Sequence, residues 1–548
     1  MATPKTEGRI YAEKICKANP ELPDKTVARI LIRDKAHLYK NLEGARTIVR
    51  TIRGHKGDLA RASVKDKSLY QAPDYNYNPA NTYQSTPKQY AEAQERKIKK
   101  SKYYIFTWAQ NNTPVHKDFF SNLLAYKDFL GAEVHVILGR YKNPTSTFTT
   151  VSEEHWDVNV VPFADANRHS IHKHLTLLSD IKIQPTAVTP LSGMEGITGL
   201  SSAILGHPRV HMKVVPALEG YTPKIMMTTG ACTKMNYTDS KAGKKGEFHH
   251  TLGFVIAEIK DAETHPFIRQ VTALNNGSFT DLCFNVKNGC VNRIEGIDAA
   301  VLGDIHVGEN DLLLNKVQKG WLSIFRPKYT MVHDVFSGYS ISHHEEKDPI
   351  RKYHKLKGGK LSLELELSNM LEWLKSMQNY NLVIVPSNHD EWVDRWIKSN
   401  DWKKDLQNAE IYMNIATKML SEDSKKGVIS RFIDDCAFKT PIKTLSRLDS
   451  FIVNGWELAS HGDKGANGAK GSMVNFKRLA TKMVVADSHT PSREDGVLYA
   501  GTSSLLRMGY NVGASSWRHA DVIIHKDKKA QHILYMGKNH EFTTFKLK

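Results

Sequence analysis

Five short apolar segments in the C-terminal half of the chain share one feature, a cluster of His, Asp or Asn residues that follows each of them. The segments are residues 299–302, 329–332, 381–385, 456–460 and 483–486, and the polar residues after them are Asp304, His306, Asp334, Asn388, His389, Asp390, His461, Asp487 and His489. Helical patterns lie between the segments, most clearly from Leu363 to Leu374. Strands that alternate with helices and end in polar loops predict an α/β fold with a functional site at the carboxyl ends of the strands.

The residue types in these loops indicate a site for two divalent metal ions. Carboxylates, imidazoles and amide oxygens are the side-chain ligands that such ions use. Two ions about 3.5–4 Å apart neutralise charge on a phosphate and supply a strong nucleophile at neutral pH. The pair needs one carboxylate that both ions share, and the five loops contain the full set. Hydrolysis of a phosphoester is therefore the chemistry that they predict.

The order of these motifs, Asp-x-His, Asp, Asn-His-Asp, His-Gly and x-x-His, resembles the calcineurin-like metallophosphoesterase family, which includes nucleases of double-strand-break repair. The resemblance covers roughly residues 296–548. Each motif alone is weak, but five in order, each at the end of a predicted strand, are specific. The resemblance implies a β-sandwich flanked by helices.

The resemblance also assigns a role to each residue at the strand ends. Asp304, His306 and His489 would hold the first metal ion, Asp334 would bridge the two ions, and Asn388 and His461 would hold the second. His389 matches the family's transition-state histidine, which donates a hydrogen bond or a proton at the leaving oxygen. Asp390 would orient the imidazole of His389.

Two departures from the family pattern affect the metal site. Asp487 stands where the family has an imidazole ligand of the second ion. A carboxylate there would favour Mn²⁺, or Mg²⁺, over Zn²⁺; the alternative is that Asp487 is no ligand and the second site is weak. His333 replaces the usual glycine before Asp334, and it joins His343 and His344 as imidazoles without an assigned role.

The N-terminal part of the chain carries more than half of the net positive charge. The net charge is +18, and residues 1–100 contain 21 Lys and Arg against 11 Asp and Glu. A surplus of this size attracts polyanions such as nucleic acid. Two short helices are predicted between residues 24 and 54, in a possible helix-turn-helix. Arg46, Arg50 and Arg53 recur at helical spacing and are candidates for contacts with DNA; a solvated basic face is the alternative.

Composition and pattern divide the chain into four parts. Residues 1–60 are predicted to form the small helical basic domain, 61–100 a linker, 101–295 an α/β middle domain and 296–548 the metallophosphoesterase domain. Residues 103–138 show a β-α-β pattern. The sequence contains neither a signal peptide nor an apolar run long enough for a bilayer, so a cytoplasmic location without a membrane partner is expected. The sequence is compatible with either a monomer or a homo-oligomer.

The substrate is inferred from charge and resemblance, because the fold class hosts phosphatases, nucleotide phosphodiesterases and nucleases. The whole chain resembles the pre-early DNA-degradation proteins of coliphages that transfer their genome in two steps. This resemblance implies an early phage protein, a Mn²⁺-dependent DNase that degrades host DNA in the bacterial cytoplasm. Lysines around the predicted site, Lys464 and Lys355 among them, agree with a polyanion. The alternatives are an esterase for a smaller substrate and a DNA-binding takeover protein with a non-catalytic phosphoesterase scaffold.

Overall fold

The structure is a computed structural model that describes most of the chain. The described residues are 6–20, 22–53, 82–84, 93, 95–141, 155–345, 348–421, 424–509 and 511–547. The predicted linker over residues 61–100 lies for the most part outside them.

The described part of the chain contains both helices and strands, mostly in runs of one kind. The helices are α1 Glu7–Ala18, α2 Asp24–Lys35, α3 Leu42–Ile52, α4 Lys117–Leu130, α5 Lys241–His249, α6 Leu312–Phe325, α7 Pro349–Lys357, α8 Leu363–Met377, α9 Asp390–Ser399, α10 Ala409–Ser421, α11 Val428–Asp434 and α12 Met473–Lys477. The strands are β1 Thr82–Gln84, β2 Tyr103–Gln110, β3 Glu133–Gly139, β4 His155–Asp157, β5 Ala164–Asp165, β6 Arg168–His172, β7 Leu175–Leu178, β8 Ser202–Leu205, β9 Met212–Val215, β10 Lys224–Thr228, β11 Gly253–Glu258, β12 Phe267–Thr272, β13 Phe279–Asp281, β14 Phe284–Lys287, β15 Cys290–Arg293, β16 Ala299–Val301, β17 Tyr329–Val332, β18 Leu382–Ile384, β19 Lys443–Thr444, β20 Ile452–Val453, β21 Trp456–Glu457, β22 Lys482–Val485, β23 Ser492–Glu494, β24 Val497–Tyr499, β25 Ala520–Ile524 and β26 Ala530–Leu534. The mixed α/β class predicted from the sequence is confirmed.

The N-terminal part is a three-helix unit with a small core of its own. Val27, Leu31, Ala45 and Val49 are fully buried between α2 and α3, the two helices that the sequence predicts. Helix α1 adds Ala12 and was not predicted. The side chain of Asn41 caps α3 by accepting a hydrogen bond from the amide of Gly44, which satisfies one of the free donors at the start of a helix.

Two sheets carry the middle part of the chain. Strands β2 and β3 are parallel with α4 between them, so the predicted β-α-β unit is confirmed. They belong to a five-stranded sheet in the order β12-β11-β2-β3-β5. One face of this sheet packs on β7 to β10, and the apolar core there includes Phe106, Val255, Ile204 and Met227.

Strands β6 to β10 and β20 to β24 form one ten-stranded sheet in the order β20-β21-β22-β24-β23-β9-β10-β8-β7-β6. The two halves of this sheet meet where Arg493 of β23 pairs with Met212 of β9. Strands on both sides of the predicted boundary at residue 295 therefore share a sheet, although the division into domains itself stays a prediction.

The remaining large sheet has the order β19-β18-β17-β16-β25-β26, and β16 to β19 run parallel. One face packs on the β20 to β24 part of the ten-stranded sheet, through buried residues such as Val301, Met331, Leu458 and Val484. Helices that include α6, α8, α9 and α11 cover the other face. Two packed sheets with helices outside them agree with the α/β class, and the metallophosphoesterase assignment stays a prediction. The carboxyl ends of β16 to β18 and of β22 open at one edge, where the candidate site lies.

None of the described helices has the length and apolarity of a membrane-spanning segment.

Candidate metal centre

The loops at the strand ends bring the predicted ligands into one cluster, which we call the metal centre: Asp304, His306, Asp334, Asn388, His461, Asp487 and His489. Five of these seven residues are at most 5% exposed. Asn388 and Asp487 lie at the rim, and the Asp487 side chain is 28% exposed. Buried charged and imidazole groups at this density are costly unless they bind an ion.

Asp334 lies between two groups of ligands. Its Oδ2 atom is 3.4 Å from Nε2 of His306 and 3.4 Å from Nε2 of His461. On the first side, Nε2 of His489 lies 3.1 Å from Nε2 of His306 and 3.1 Å from Oδ2 of Asp304. One carboxylate flanked by two sets of ligands is the arrangement that a pair of metal ions needs.

The second group surrounds the imidazole of His461. Its Nε2 atom lies 3.1 Å from Oδ1 of Asn388 and 3.7 Å from Oδ1 of Asp487. Its Nδ1 atom lies 3.4 Å from Nδ1 of His333, which is fully buried. Burial lowers the pKa of His333 to about 3, so this imidazole is neutral and can accept a hydrogen bond from His461. Such a contact on the far nitrogen leaves Nε2 of His461 to bind an ion.

The buried carboxylates have oxygens that a bound metal ion could pair with. Both oxygens of Asp304 and Oδ1 of Asp334 are buried and have no hydrogen-bond partner among the described residues. Buried polar atoms are nearly always paired, and an unpaired buried carboxylate is especially costly. Cations held between Asp304, Asp334 and the nearby imidazoles would remove this cost. The buried His and Asp groups can therefore hold metal ions.

The backbone at the metal centre is strained. His306, Asp334, Asp487 and His489 have φ values of 49°, 46°, 68° and 54°, in the left-handed region that non-glycine residues rarely adopt. Strain of this kind costs on the order of 1–3 kcal/mol for each residue and persists where the surrounding structure enforces it. Four strained residues among seven candidate ligands indicate that the loops are shaped for the site.

The charges in the centre perturb one another strongly. Burial opposes ionisation of Asp334, but His461, His389 and His306 surround it and hold its pKa well below the usual range. Burial likewise opposes the charge on His461, yet Asp334, Asp304 and Asp487 raise its pKa to about 10. Burial, with the nearby charges of Asp304 and Asp334, raises the pKa of Asp487 to about 6. A bound cation would take the place of the proton on His461.

His389 reaches the same cluster from the N-terminal end of α9. Its ring centroid lies 4.7 Å from that of His306, and its Nδ1 atom lies 2.6 Å from the carbonyl oxygen of Ser337. The prediction that Asp390 orients this imidazole is wrong. The carboxylate of Asp390 instead accepts a hydrogen bond from the amide of Ser387, because Asp390 begins a helix that turns its side chain back toward that loop. Ser337 orients His389 through its carbonyl.

Comparison with known proteins identifies a relative of the chain. No protein-family model matches the chain, and no solved structure matches it. Protein A1 of Escherichia phage T5 is 30% identical over 469 residues, which cover 81% of this chain and 83% of that protein. The chain belongs to the A1 family. The matched length includes far more than the metal centre, so the relationship extends over most of the fold.

Several residues around the centre of this A1-family protein were not predicted from its sequence. Arg447 donates hydrogen bonds to Asp463 at 2.7 Å and to Glu391 at 3.0 Å, so it ties together the loops that carry His461 and Asn388. The ring of Trp517 lies 4.1 Å from that of His489. No local sequence pattern indicates these contacts, because the partners of Arg447 and Trp517 are distant along the chain.

The aromatic side chain of Trp392 was also not predicted. It stacks on His389 with ring centroids 4.1 Å apart and an interplanar angle of 26°. His343 and His344, which have no role in the sequence-based prediction, pack on the same indole at 5.0 and 5.5 Å. Trp392 therefore holds the ring of His389 on one side and the 343–344 loop on another.

The three arginines of the N-terminal unit are not equivalent. Arg46 is partly exposed and pairs with Glu43 of the same helix, and Arg50 is also partly exposed. Arg53 is different from the prediction, because its side chain is only 13% exposed and its guanidinium turns inward. It donates to the carbonyls of Asn19 and Leu22 and pairs with Asp24. Arg53 therefore holds the turn before α2 and is not part of an outer basic face.

Two of the lysines near the centre are likewise engaged within the protein. Lys355 is buried, and its ammonium donates to the carbonyl of Tyr339 at 2.6 Å and pairs with Glu345. Lys464 pairs with Glu391 at 2.8 Å. Their charges are thus partly compensated within the protein, so they are weaker candidates for contacts with phosphate than the sequence suggested.

Asp487 provides the first testable prediction. Its distance from His461 places it where a ligand of the second ion would lie. Replacing Asp487 by histidine should shift metal preference from Mn²⁺ toward Zn²⁺, because imidazole suits the softer ion and carboxylate the harder one. The measurement is the ratio of initial hydrolysis rates with the two ions. Equal ratios in the parent and the variant would show that Asp487 does not bind the ion.

Proposed function

We propose that this protein is a DNase that hydrolyses phosphodiester bonds with two divalent metal ions. The observation that carries the proposal is the position of Asp334, whose Oδ2 atom is equidistant from two imidazoles that belong to two sets of ligands. In this arrangement Asp304, His306, Asp334 and His489 would hold the first ion. Asp334, Asn388, His461 and Asp487 would hold the second.

Ions bound there would neutralise the non-bridging oxygens of the phosphate and lower the pKa of a water molecule so that it becomes a nucleophile. The chain's own contribution is to fix the ligands in position. Backbone strain at His306 and Asp334 and the contact between His333 and His461 orient them before an ion arrives. Little reorganisation is then needed when the substrate binds, which is how fixed charges contribute most to catalysis.

His389 is proposed to assist the leaving group. Its Nδ1 atom donates to the carbonyl of Ser337, so Nε2 is the nitrogen that remains for the substrate. The carbonyl oxygen of Ser337 and the stacked face of Trp392 together fix the orientation of the ring. As a general acid, His389 would donate a proton from Nε2 to the oxygen that leaves the phosphorus, and general acids of this kind contribute roughly 10²–10⁴-fold to the rate.

DNA is the proposed substrate for three reasons. The net charge of +18 favours a polyanionic polymer over a small nucleotide. More than half of that surplus lies in residues 1–100, which contain none of the ligands of the metal centre, so this charge would serve the binding of a long substrate. The chain also belongs to a phage protein family, and degradation of host DNA early in infection is a task that such a nuclease would serve.

Digestion of matched DNA forms tests the substrate class. Metal-free protein would be incubated with linear duplex, covalently closed circular duplex and circular single strands, with and without Mn²⁺, beside a chromogenic phosphodiester. We expect Mn²⁺-dependent cleavage of duplex DNA and of the chromogenic diester, and comparison of linear with circular DNA separates attack at ends from internal attack. Cleavage of the small diester alone would indicate a small-substrate esterase, and cleavage of neither would indicate a DNA-binding scaffold.

The N-terminal unit provides a second prediction. Replacing Arg46 and Arg50 together by glutamine should weaken DNA binding and lower the slope of log Kd against log salt by about 0.9 for each phosphate that the protein no longer neutralises. Hydrolysis of the chromogenic diester should not change, because that substrate needs only the metal centre. Arg33 of α2, whose side chain is 74% exposed, is the matched control. Binding equal to that of the parent at every salt concentration would show that Arg46 and Arg50 form only a solvated face.

A further inference from the structure

A second group of metal-ligand side chains lies apart from the metal centre. Asp311, His519 and His540 offer ligand atoms that are all within 4.8 Å of one another. They come from three separate segments: the residue before α6, the residue before β25 and the C-terminal segment after β26. None of the three is used in the proposed hydrolysis, and none lies in a motif singled out in the sequence.

Two of the three side chains, Asp311 and His519, are each held by a backbone contact outside the group. Oδ1 of Asp311 accepts a hydrogen bond from the amide of Leu314, so Oδ2 is the oxygen that faces the imidazoles. It lies 3.0 Å from Nε2 of His540. Nε2 of His519 lies 2.9 Å from the carbonyl oxygen of Ser504, which makes it a donor and leaves Nδ1 as the nitrogen with a lone pair. A backbone carbonyl on the far nitrogen is the usual partner of a metal-bound imidazole.

The two imidazoles also lie close together. Their ring centroids are 4.7 Å apart with an interplanar angle of 80°, an edge-to-face contact, and each ring has a ligand atom within 4.8 Å of those of the other two side chains. His519 is 7% exposed, while the side chains of His540 and Asp311 are 14% and 20% exposed. The site is therefore nearly enclosed, with an opening through which an ion and a water molecule can enter.

We propose that Asp311, His519 and His540 form a third metal site, which takes Zn²⁺ or a chemically similar ion. Two imidazoles and one carboxylate with a water molecule complete a tetrahedral shell for Zn²⁺. This set is richer in nitrogen than the carboxylate-rich metal centre, so the two sites should prefer different ions.

An ion in the third site would cross-link three segments that meet near the metal centre. The amide of Asp311 donates to the carbonyl of Ser503, and the amide of Ser503 donates to the carbonyl of Asp304. The third site would thus fasten the C-terminal segment to the backbone that supports a ligand of the first catalytic ion. Its loss should lower thermal stability and leave the chemistry of hydrolysis in place.

The test uses full-length protein in which Asp304 and Asp334 are both replaced by asparagine, so that the metal centre lacks its buried carboxylates. Titration with Co²⁺ should show one equivalent bound with the visible absorption of a tetrahedral complex, and Zn²⁺ should displace it. Adding His540→Ala should weaken binding by more than the 10–100-fold that loss of an outer-shell partner costs. His354→Ala, at an exposed histidine of α7, is the matched control and should bind like the double variant.

Absence of Co²⁺ binding in the double variant, or equal binding after His540→Ala, would overturn the proposal. The group would then be only a hydrogen bond between the imidazole of His540 and the carboxylate of Asp311. If the double variant does not fold, the same titration of the parent and of His540→Ala decides the question, because the variant should bind one equivalent less of Zn²⁺. Neither readout depends on hydrolysis. Failure of the proposed DNase function would leave this result unchanged.

Discussion

Replacing Asp334 by asparagine is expected to abolish metal-dependent hydrolysis while the protein remains folded. Asparagine keeps the shape of the side chain, but it removes the charge that both ions would share. Loss of the charge stabilisation that a metal ion supplies, several kcal/mol, corresponds to a decrease of about 10³-fold or more in rate. The measurement combines the rate on the chromogenic diester with the metal content of the purified variant.

The matched control for this variant is Asp463→Asn. Asp463 follows His461 by two residues, but its carboxylate pairs with Arg447 and is not among the ligands of the metal centre. We expect a smaller loss there, with the metal content preserved. If Asp334→Asn has the rate and the metal content of the parent, Asp334 does not bridge two ions, and the two-ion arrangement is wrong.

Replacing His389 by alanine is expected to leave both metal ions bound and to lower turnover by roughly 10²–10⁴-fold, the usual contribution of a positioned acid. The imidazole touches the metal centre, but its Nδ1 atom is committed to the carbonyl of Ser337. The proposed ligand of that loop is Asn388. Metal analysis and kcat on duplex DNA, measured on the same preparation, separate a role in chemistry from a role in binding ions.

His343→Ala is the control for His389, because it removes an exposed imidazole that packs on the same tryptophan, Trp392, at 5.0 Å. Its turnover should stay near that of the parent. Loss of metal from His389→Ala would indicate that the imidazole is a ligand, and unchanged turnover would indicate a structural histidine. Both outcomes contradict the assignment.

The parts of the site that could be predicted from sequence are those that depend on local order. A parallel strand ends where its apolar run ends, and the next residues necessarily lie at the carboxyl edge of the sheet. The positions of Asp304 and Asp334 therefore follow from two apolar segments and a parallel sheet. His461 follows β21, which runs parallel to β22 in the facing sheet. The helical spacing from Leu363 to Leu374 predicted α8 for the same reason, because a buried stripe recurs with the period of the helix.

The parts that were missed depend on contacts between distant segments. The carbonyl of Ser337 orients His389, and a backbone carbonyl leaves no signal in the residue types. Asp390 stood next to His389 in sequence, yet the first turn of α9 directs it elsewhere. The spacing of Arg53 fits a basic helical face, but Arg53 lies just after the end of α3. There its guanidinium contacts Asn19, Leu22 and Asp24, at the turn before α2. The pairing of β23 with β9 joins residues almost 300 positions apart, beyond the reach of any local pattern.

The most direct test of the two-metal account is a titration of metal-free protein with Mn²⁺, in which DNA hydrolysis and bound manganese are followed together. The account predicts that hydrolysis is absent without metal and reaches its plateau only after two equivalents have bound for each chain. The Asp334→Asn variant should stay inactive throughout. A plateau after one equivalent, or hydrolysis that continues in the presence of excess chelator, would contradict the account.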